Sequence, residues 1–323
     1  MDKVVEVRGK TRLHPKKFAD PLMTVEGTER ASVTLRKLDT LWFNTGSLCN
    51  IACVNCYIES SPTNDRLVYL SAKDVRTYLL ELEGFSERPR EIGFTGGEPF
   101  MNPDFPQMME DCLAYGYDVL ILTNAMQPML RPRVKEQLLN LQNRYGAQIV
   151  MRVSLDHYSQ ALHETERGAN TWGKAMEGLR WLSENGFTLN VAGRMLSGEP
   201  EDAERSGYAS LFAQQGLTID ARDPAALVLF PEMDETQDVP EITTDCWNIL
   251  NVSPDSVMCA NSRMVIKRKG ETHPKVLPCT LLPYDTQFEL GKTLTDSAKT
   301  VHLNHPHCAK FCVLGGASCS VSS

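Results

Sequence analysis

Three cysteines fall close together in the run Cys49-Asn50-Ile51-Ala52-Cys53-Val54-Asn55-Cys56. Thiolates are the usual protein ligands of iron–sulfur clusters. A C-x3-C-x2-C spacing on one loop supplies three corners of an iron–sulfur cube and leaves the fourth iron without a protein ligand. An open position on a metal is where chemistry takes place, whereas a fully ligated metal braces a fold. Three-cysteine spacings also occur in zinc sites, so this run alone leaves the metal undecided.

A second segment, Ile92-Gly93-Phe94-Thr95-Gly96-Gly97-Glu98-Pro99, reads as a buried strand ending in two glycines, an acid and a proline. Glycine has no Cβ, so Gly96 and Gly97 let backbone groups come close to a ligand; a tight strand-to-helix turn is the plainer reading. With both motifs in this order, the chain resembles the radical S-adenosylmethionine (SAM) enzymes over roughly residues 38 to 230, and more weakly beyond. The resemblance implies an α/β fold, a partial (β/α)6 TIM-like barrel. It also implies a [4Fe–4S] cluster on Cys49, Cys53 and Cys56 whose unique iron chelates SAM. Electron transfer into the sulfonium would then release methionine and a 5′-deoxyadenosyl radical that abstracts hydrogen from a substrate. The family usually carries an aromatic residue before the third cysteine; here Asn55 stands there and Tyr57 follows.

Further SAM contacts follow from the same resemblance. Gly96, Gly97 and Glu98 would bind the amino group. Thr123 and Asn124, ending a third strand, would serve SAM or substrate, and a helix N-cap explains Asn124 equally well. Ser154 and Asp156 would lie near the ribose or carboxylate. The text that follows, His163-Glu164-x-x-Arg167-Gly168 and then Trp172, looks like the corresponding segment of peptide-modifying members. His163 itself reads as a surface or capping group. Arg194 presents a planar fork suited to a carboxylate, as a fifth-strand arginine does in related enzymes; a surface salt bridge is the alternative.

Cys259 and Cys279 flank hairpin-like text containing Gly270, and Cys308, Cys312 and Cys319 come after it. This arrangement looks like the auxiliary-cluster modules called twitch or SPASM domains. The cysteines are too few for two extra clusters, so one second [4Fe–4S] cluster is expected. Its ligands would be Cys259, Cys279, Cys308 and Cys312, with Cys319 able to replace either of the last two. A zinc site on these cysteines with His305 or His307 is the competing account. Cys112 and Cys246 read as ordinary buried thiols, with Cys246 a spare ligand as the alternative.

The elements that must position these residues alternate along the chain. Strands are expected at 38–43, 91–95, 118–122, 148–155, 188–192 and 217–220, with helices at 72–83, 105–115, 131–145, 172–185 and 200–215. Ser71-Ala72-Lys73-Asp74 has the form of a capping box, and Gly186 sits where a helix ends. Six strands with helices between them predict a parallel sheet curling toward a barrel. Sites in such folds gather at the carboxyl ends of the strands, where the motifs above sit. The expected divisions are an arm at 1–36, the barrel at 37–235 and the auxiliary-cluster domain at 236–323.

Composition bounds the rest. Among 323 residues, 41 acids against 33 bases give a net charge of −8, which argues against a broad nucleic-acid surface. The start lacks a signal-peptide h-region and no stretch is apolar long enough to span a bilayer, so a cytoplasmic protein is expected. Ten cysteines in a reducing compartment point to metal or redox use. The expected function is a radical SAM oxidoreductase or transferase-like enzyme acting on a peptide or small molecule, for oxidation or cross-linking. Its electron donor would be reduced flavodoxin or ferredoxin, since the cluster needs a potential of the order of −400 mV. A zinc- or iron–sulfur-organised binding protein without radical catalysis is the other class of reading.

Overall fold

Continuous apolar runs such as Leu41-Trp42-Phe43 and Val119-Leu120-Ile121-Leu122 are what a strand covered on both faces requires. In the computed structural model, which describes residues 12–232 and 234–315, such runs form the middle of one parallel sheet. The strands are β1 (Ser32–Val33), β2 (Thr40–Asn44), β3 (Glu91–Thr95), β4 (Asp118–Thr123), β5 (Ile149–Ser154), β6 (Thr188–Arg194), β7 (Leu227–Phe230), β8 (Ser262–Ile266), β9 (Lys275–Leu277) and β10 (Val301–His302). The helices are α1 (Ala72–Glu83), α2 (Phe105–Ala114), α3 (Gln127–Leu130), α4 (Pro132–Tyr145), α5 (Gln160–Arg167), α6 (Trp172–Glu184), α7 (Glu201–Gln215), α8 (Cys246–Leu250) and α9 (Met258–Asn261). A π turn follows at Cys308–Val313.

The sheet order is β7-β6-β5-β4-β3-β2-β8-β9, and only the β8–β9 pair is antiparallel. Strands β2 to β7 are the six strands of a TIM-like partial barrel, each joined to the next through helix, as parallel pairing demands. Their carboxyl ends (Asn44, Thr95, Thr123, Ser154, Arg194 and Phe230) therefore all point to one rim. Helix α1 starts where expected: the Ser71 side chain accepts from the Asp74 amide and the Asp74 carboxylate accepts from the Ser71 amide. Gly186 takes a left-handed φ of +73° directly after α6.

The sixth strand differs from the expectation. Residues 217–220 form no strand; Leu217 and Ile219 pack into the helix-side core. Turns built on Asp220 and Asp223, which accept from the Arg222 and Ala225 amides, carry the chain back across the molecule. The strand that pairs with β6 is the later run Leu227-Val228-Leu229-Phe230. The run Leu217-Thr218-Ile219-Asp220 alternates apolar and polar, whereas the strand that pairs with β6 is continuously apolar, as a doubly covered parallel strand is.

Side-chain alternation along each strand divides the interior in two. Leu41, Phe43, Ile92 and Phe94 join the core beneath the helices, while Trp42, Leu120 and Met264 belong to the core inside the barrel and C-terminal part. The hairpin β8–β9, turning through Gly270 at φ +83°, extends the barrel sheet from the β2 edge. The N-terminal segment is stitched to the C-terminal part by the β1–β10 pairing and by the buried ion pair of Arg30 with Glu241 at 2.6 Å. Among the described residues, no helix is long and apolar enough to cross a membrane.

Trp42 occupies the space that a side chain on Gly93 would need: a Cβ there would lie 2.4 Å from the indole. Gly93→Ala is expected to cost on the order of 2 kcal/mol through overpacking. Urea denaturation followed by circular dichroism measures it; an unchanged midpoint would contradict this packing.

Candidate active site

The floor of the site is two backbones pressed together. Gly97 donates its amide to the Gly46 carbonyl at 2.8 Å, and Glu98 donates to the Leu48 carbonyl at 3.1 Å. A Cβ on Gly97 would lie 2.1 Å from the Leu48 oxygen, and one on Gly96 would lie 2.6 Å from the Gly46 oxygen. Gly96 also has φ +137°, a conformation that favours glycine. The paired glycines thus seat the loop that leads into Cys49, while both still line the cavity above it.

Glu98 turns inward from this floor. Its carboxylate accepts from Thr123 Oγ1 at 2.9 Å, the Asn124 amide at 2.8 Å and the Phe100 amide at 3.2 Å. Burial pushes its pKa up to about 7, against the pull of those donors. Glu98 does not line the cavity; it fixes the β4 end that does. Asn124 passes this on, donating from Nδ2 to Asn50 Oδ1 at 2.9 Å beside Cys49 Sγ at 3.8 Å. Its Oδ1 accepts from the Met126 amide, so Asn124 shapes its own turn rather than capping a helix.

The opposite wall clamps the far side of the cysteine loop. Asn55 donates to both oxygens of Glu166, Val54 donates its amide to the Glu166 carbonyl, and Arg194 Nη2 donates to the Asn55 carbonyl at 2.6 Å. At the position where the family usually carries an aromatic ring, this chain therefore has an amide that ties the loop to α5. Asp156 accepts from Arg167 at 2.9 Å, with Arg194 Nε at 3.8 Å. Burial pushes the Asp156 carboxyl up, but the two guanidiniums outweigh it and hold it below the usual range.

All three thiols face one cavity of about 110 Å³ at the carboxyl rim. Gly96, Gly97, Thr123, Asn124, Ser154, Asp156 and Arg194 line it with them, so the structure brings together every expected SAM-side residue except Glu98. Tyr57, Leu281, Phe230 and Phe311 add an apolar wall. Burial, then the Glu98 charge, pushes the Cys49 thiol up to about 12, and burial raises Cys53 while Arg167 opposes it. A coordinated cation reverses that logic and deprotonates a thiol outright.

The donor spacing bears on which metal fits. Among the described residues, the one trio of His, Cys, Asp or Glu ligand atoms mutually within 4.8 Å is His157, Glu199 and Glu204, not a set of cysteines. Thiolates on a tetrahedral zinc at about 2.3 Å each would sit about 3.8 Å apart. A cube of irons and sulfides holds its thiolates wider, and the three thiols that line this cavity are not gathered within 4.8 Å of one another. In the C-terminal part, Cys259, Cys279 and Cys308 are buried in one core cluster, and burial, then the two neighbouring thiols, pushes the Cys308 thiol up. Cys312 is half-buried on the same π turn as Cys308, and Cys319 lies outside the described residues.

Some readings need correction. His163 is no surface group: it is fully buried against Trp172, with ring centroids 5.4 Å apart. Cys112 is buried as expected, but Cys246 is half-buried. Arg167 had no assigned role, yet it lines the cavity and pairs with Asp156. The signal was present in the Glu164-x-x-Arg167-Gly168 text, but only the fold turns that arginine toward β5.

The family model for the Radical SAM superfamily matches residues 43–205. Among curated relatives, the antilisterial bacteriocin subtilosin biosynthesis protein AlbA of Bacillus subtilis is 26% identical over 145 residues, 45% of this chain and 30% of AlbA. Mycofactocin maturase MftC of Mycolicibacterium smegmatis is 27% identical over 171 residues, 53% of this chain and 41% of MftC. The chain therefore spans less than half of either relative. Among solved structures, Streptococcus suis SuiB bound to precursor peptide SuiA shares the fold with a TM-score of 0.59 at 13% identity, covering 82% of this chain and 64% of SuiB.

Gly97→Ala is expected to displace Leu48 and with it Cys49, lowering iron bound at this site several-fold. Gly173→Ala, which meets nothing within 4 Å, serves as control. Iron and sulfide assays on reconstituted protein decide; equal loading of the two variants would contradict the proposed seating.

Proposed function

The chain belongs to the radical SAM superfamily, and from that premise we propose that it is a peptide-modifying enzyme that oxidises or cross-links a side chain with help from a second cluster. One observation carries the catalytic half of this reading: Cys49, Cys53 and Cys56 share a cavity with seven residues expected to contact SAM. Bound there, a [4Fe–4S] cluster and SAM supply a 5′-deoxyadenosyl radical by one-electron cleavage of the sulfonium.

The chain's own residues do the holding. Cys49, Cys53 and Cys56 would ligate three irons of the cluster. Arg194, Arg167 and Asp156 present two cations and one anion beside them, a set suited to a zwitterionic amino acid headgroup. Thr123 and Asn124 are kept at the rim by Glu98. Tyr57, Phe230, Leu281 and Phe311 cover the cavity with apolar surface, which excludes water from a radical that would attack most C–H bonds.

Support for a peptide substrate comes from the relatives, whose names describe a bacteriocin biosynthesis protein and a maturase, and from SuiB, captured with a precursor peptide. Support for an auxiliary-cluster module at 236–323 comes from the buried group of Cys259, Cys279 and Cys308. With Cys312 or Cys319 these would complete a four-thiolate set. Reduced flavodoxin or ferredoxin is the proposed donor, given the low potential such clusters require.

Anaerobically reconstituted protein with SAM and dithionite is expected to release 5′-deoxyadenosine, and Cys53→Ala to reduce that at least 100-fold. Chromatography of the quenched mixture measures it. No 5′-deoxyadenosine from iron-replete protein would reject the reading.

A further inference from the structure

Arg263, on β8, is a fully buried cation among the described residues with no carboxylate at ion-pair distance. Its Nε donates to the Ser297 carbonyl at 3.0 Å, and its Nη1 donates to the carbonyls of Cys259 at 2.8 Å and Ser262 at 2.7 Å. Nη2 is buried and has no hydrogen-bond partner. Carbonyl dipoles orient the guanidinium but do not neutralise it. By contrast, the fully buried Arg30 is neutralised by Glu241 at 2.6 Å, and the half-buried Arg167 at the cavity by Asp156 at 2.9 Å.

Arg263 is tied directly to the backbone of Cys259, and Cys259, Cys279 and Cys308 are buried in the same core cluster. An unpaired interior charge costs several kcal/mol, and arginine does not escape that cost by losing its proton near neutral pH. Neutral thiols give it no counter-charge. Thiolates gathered on a cluster do, and a cluster's potential responds to nearby charge and hydrogen bonds.

We propose that Arg263 is the counter-charge of the second cluster, a positioning residue that raises its reduction potential by stabilising the added electron. The inference rests on the auxiliary cluster of the reading above. The couple takes up one electron from dithionite, and no bond or proton at Arg263 changes.

The test uses the full chain with Cys49, Cys53 and Cys56 all changed to Ala, so that only the second cluster is seen. With Arg263 intact, about four irons per chain are expected; near-zero iron would overturn both the auxiliary cluster and this role. Arg263→Gln and Arg263→Lys are then titrated anaerobically, following the visible spectrum against mediator dyes. The expected result is unchanged iron in both, a lower potential in Arg263→Gln and a near-original one in Arg263→Lys. An unshifted potential in iron-replete Arg263→Gln would overturn the proposal while leaving the cluster standing. If Arg263→Gln fails to load iron, Arg263→Lys decides: full loading with a retained potential supports the charge, and loss of iron there as well overturns it.

Discussion

The Leu48 carbonyl occupies the place where a side chain on residue 97 would begin, and the rest of the site depends on that contact. It sets the distance between the loop after β2 and the loop after β3. Two amide-to-carbonyl bonds lock that distance, and the glutamate that follows reaches down to fix the end of β4. Three adjacent strands thus deliver Cys49, the glycines and Asn124 to one point without a loop of their own to spare. The geometry continues outward as strain: Ala125 sits at φ +56°, worth on the order of 1 kcal/mol, held by α6, whose Gly178 leaves room for the Ala125 carbonyl.

Charge is arranged around the cavity in the same economical way. Glu98 does not line the cavity and is held by three neutral hydrogen-bond donors. On the other side, Asp156 lies between Arg167 and Arg194, and Glu166 between Asn55 and Arg194. The second half of the cysteine loop hangs from this network rather than from the sheet. One side of the loop is therefore placed by backbone fit and the other by ion pairing, which separates the loop's position from its electrostatic setting.

Much of this was legible in the sequence, for reasons that can be named. Helix ends were clear where local chemistry decides them, as at Ser71 and Asp74 or at Gly186. The rim residues were found because parallel strands put every carboxyl end on one side, so that strand position and motif agree. The sixth strand was expected at 217–220, but Leu217 and Ile219 serve the helix-side core, and the run that pairs with β6 comes after the turns at Asp220 and Asp223. Glu98 was expected to contact SAM but does not line the cavity, because a sequence gives the residue after a turn but not the direction it faces. Arg167, the Asn55–Glu166 tie and the burial of His163 depend on how α5 folds back over the loop, a tertiary fact with no short-range signature.

The C-terminal part shares the sheet with the barrel through the pairing of β8 with β2. Phe311 of the π turn and Leu281 reach the cavity wall directly. The central claim is that three cysteines hold a cluster whose remaining iron is open to SAM. Electron paramagnetic resonance of the dithionite-reduced cluster, with Cys259, Cys279 and Cys308 replaced by Ala, tests it most directly. Adding SAM is predicted to change the g-values, as ligation at the open iron requires; a spectrum indifferent to saturating SAM would contradict the account.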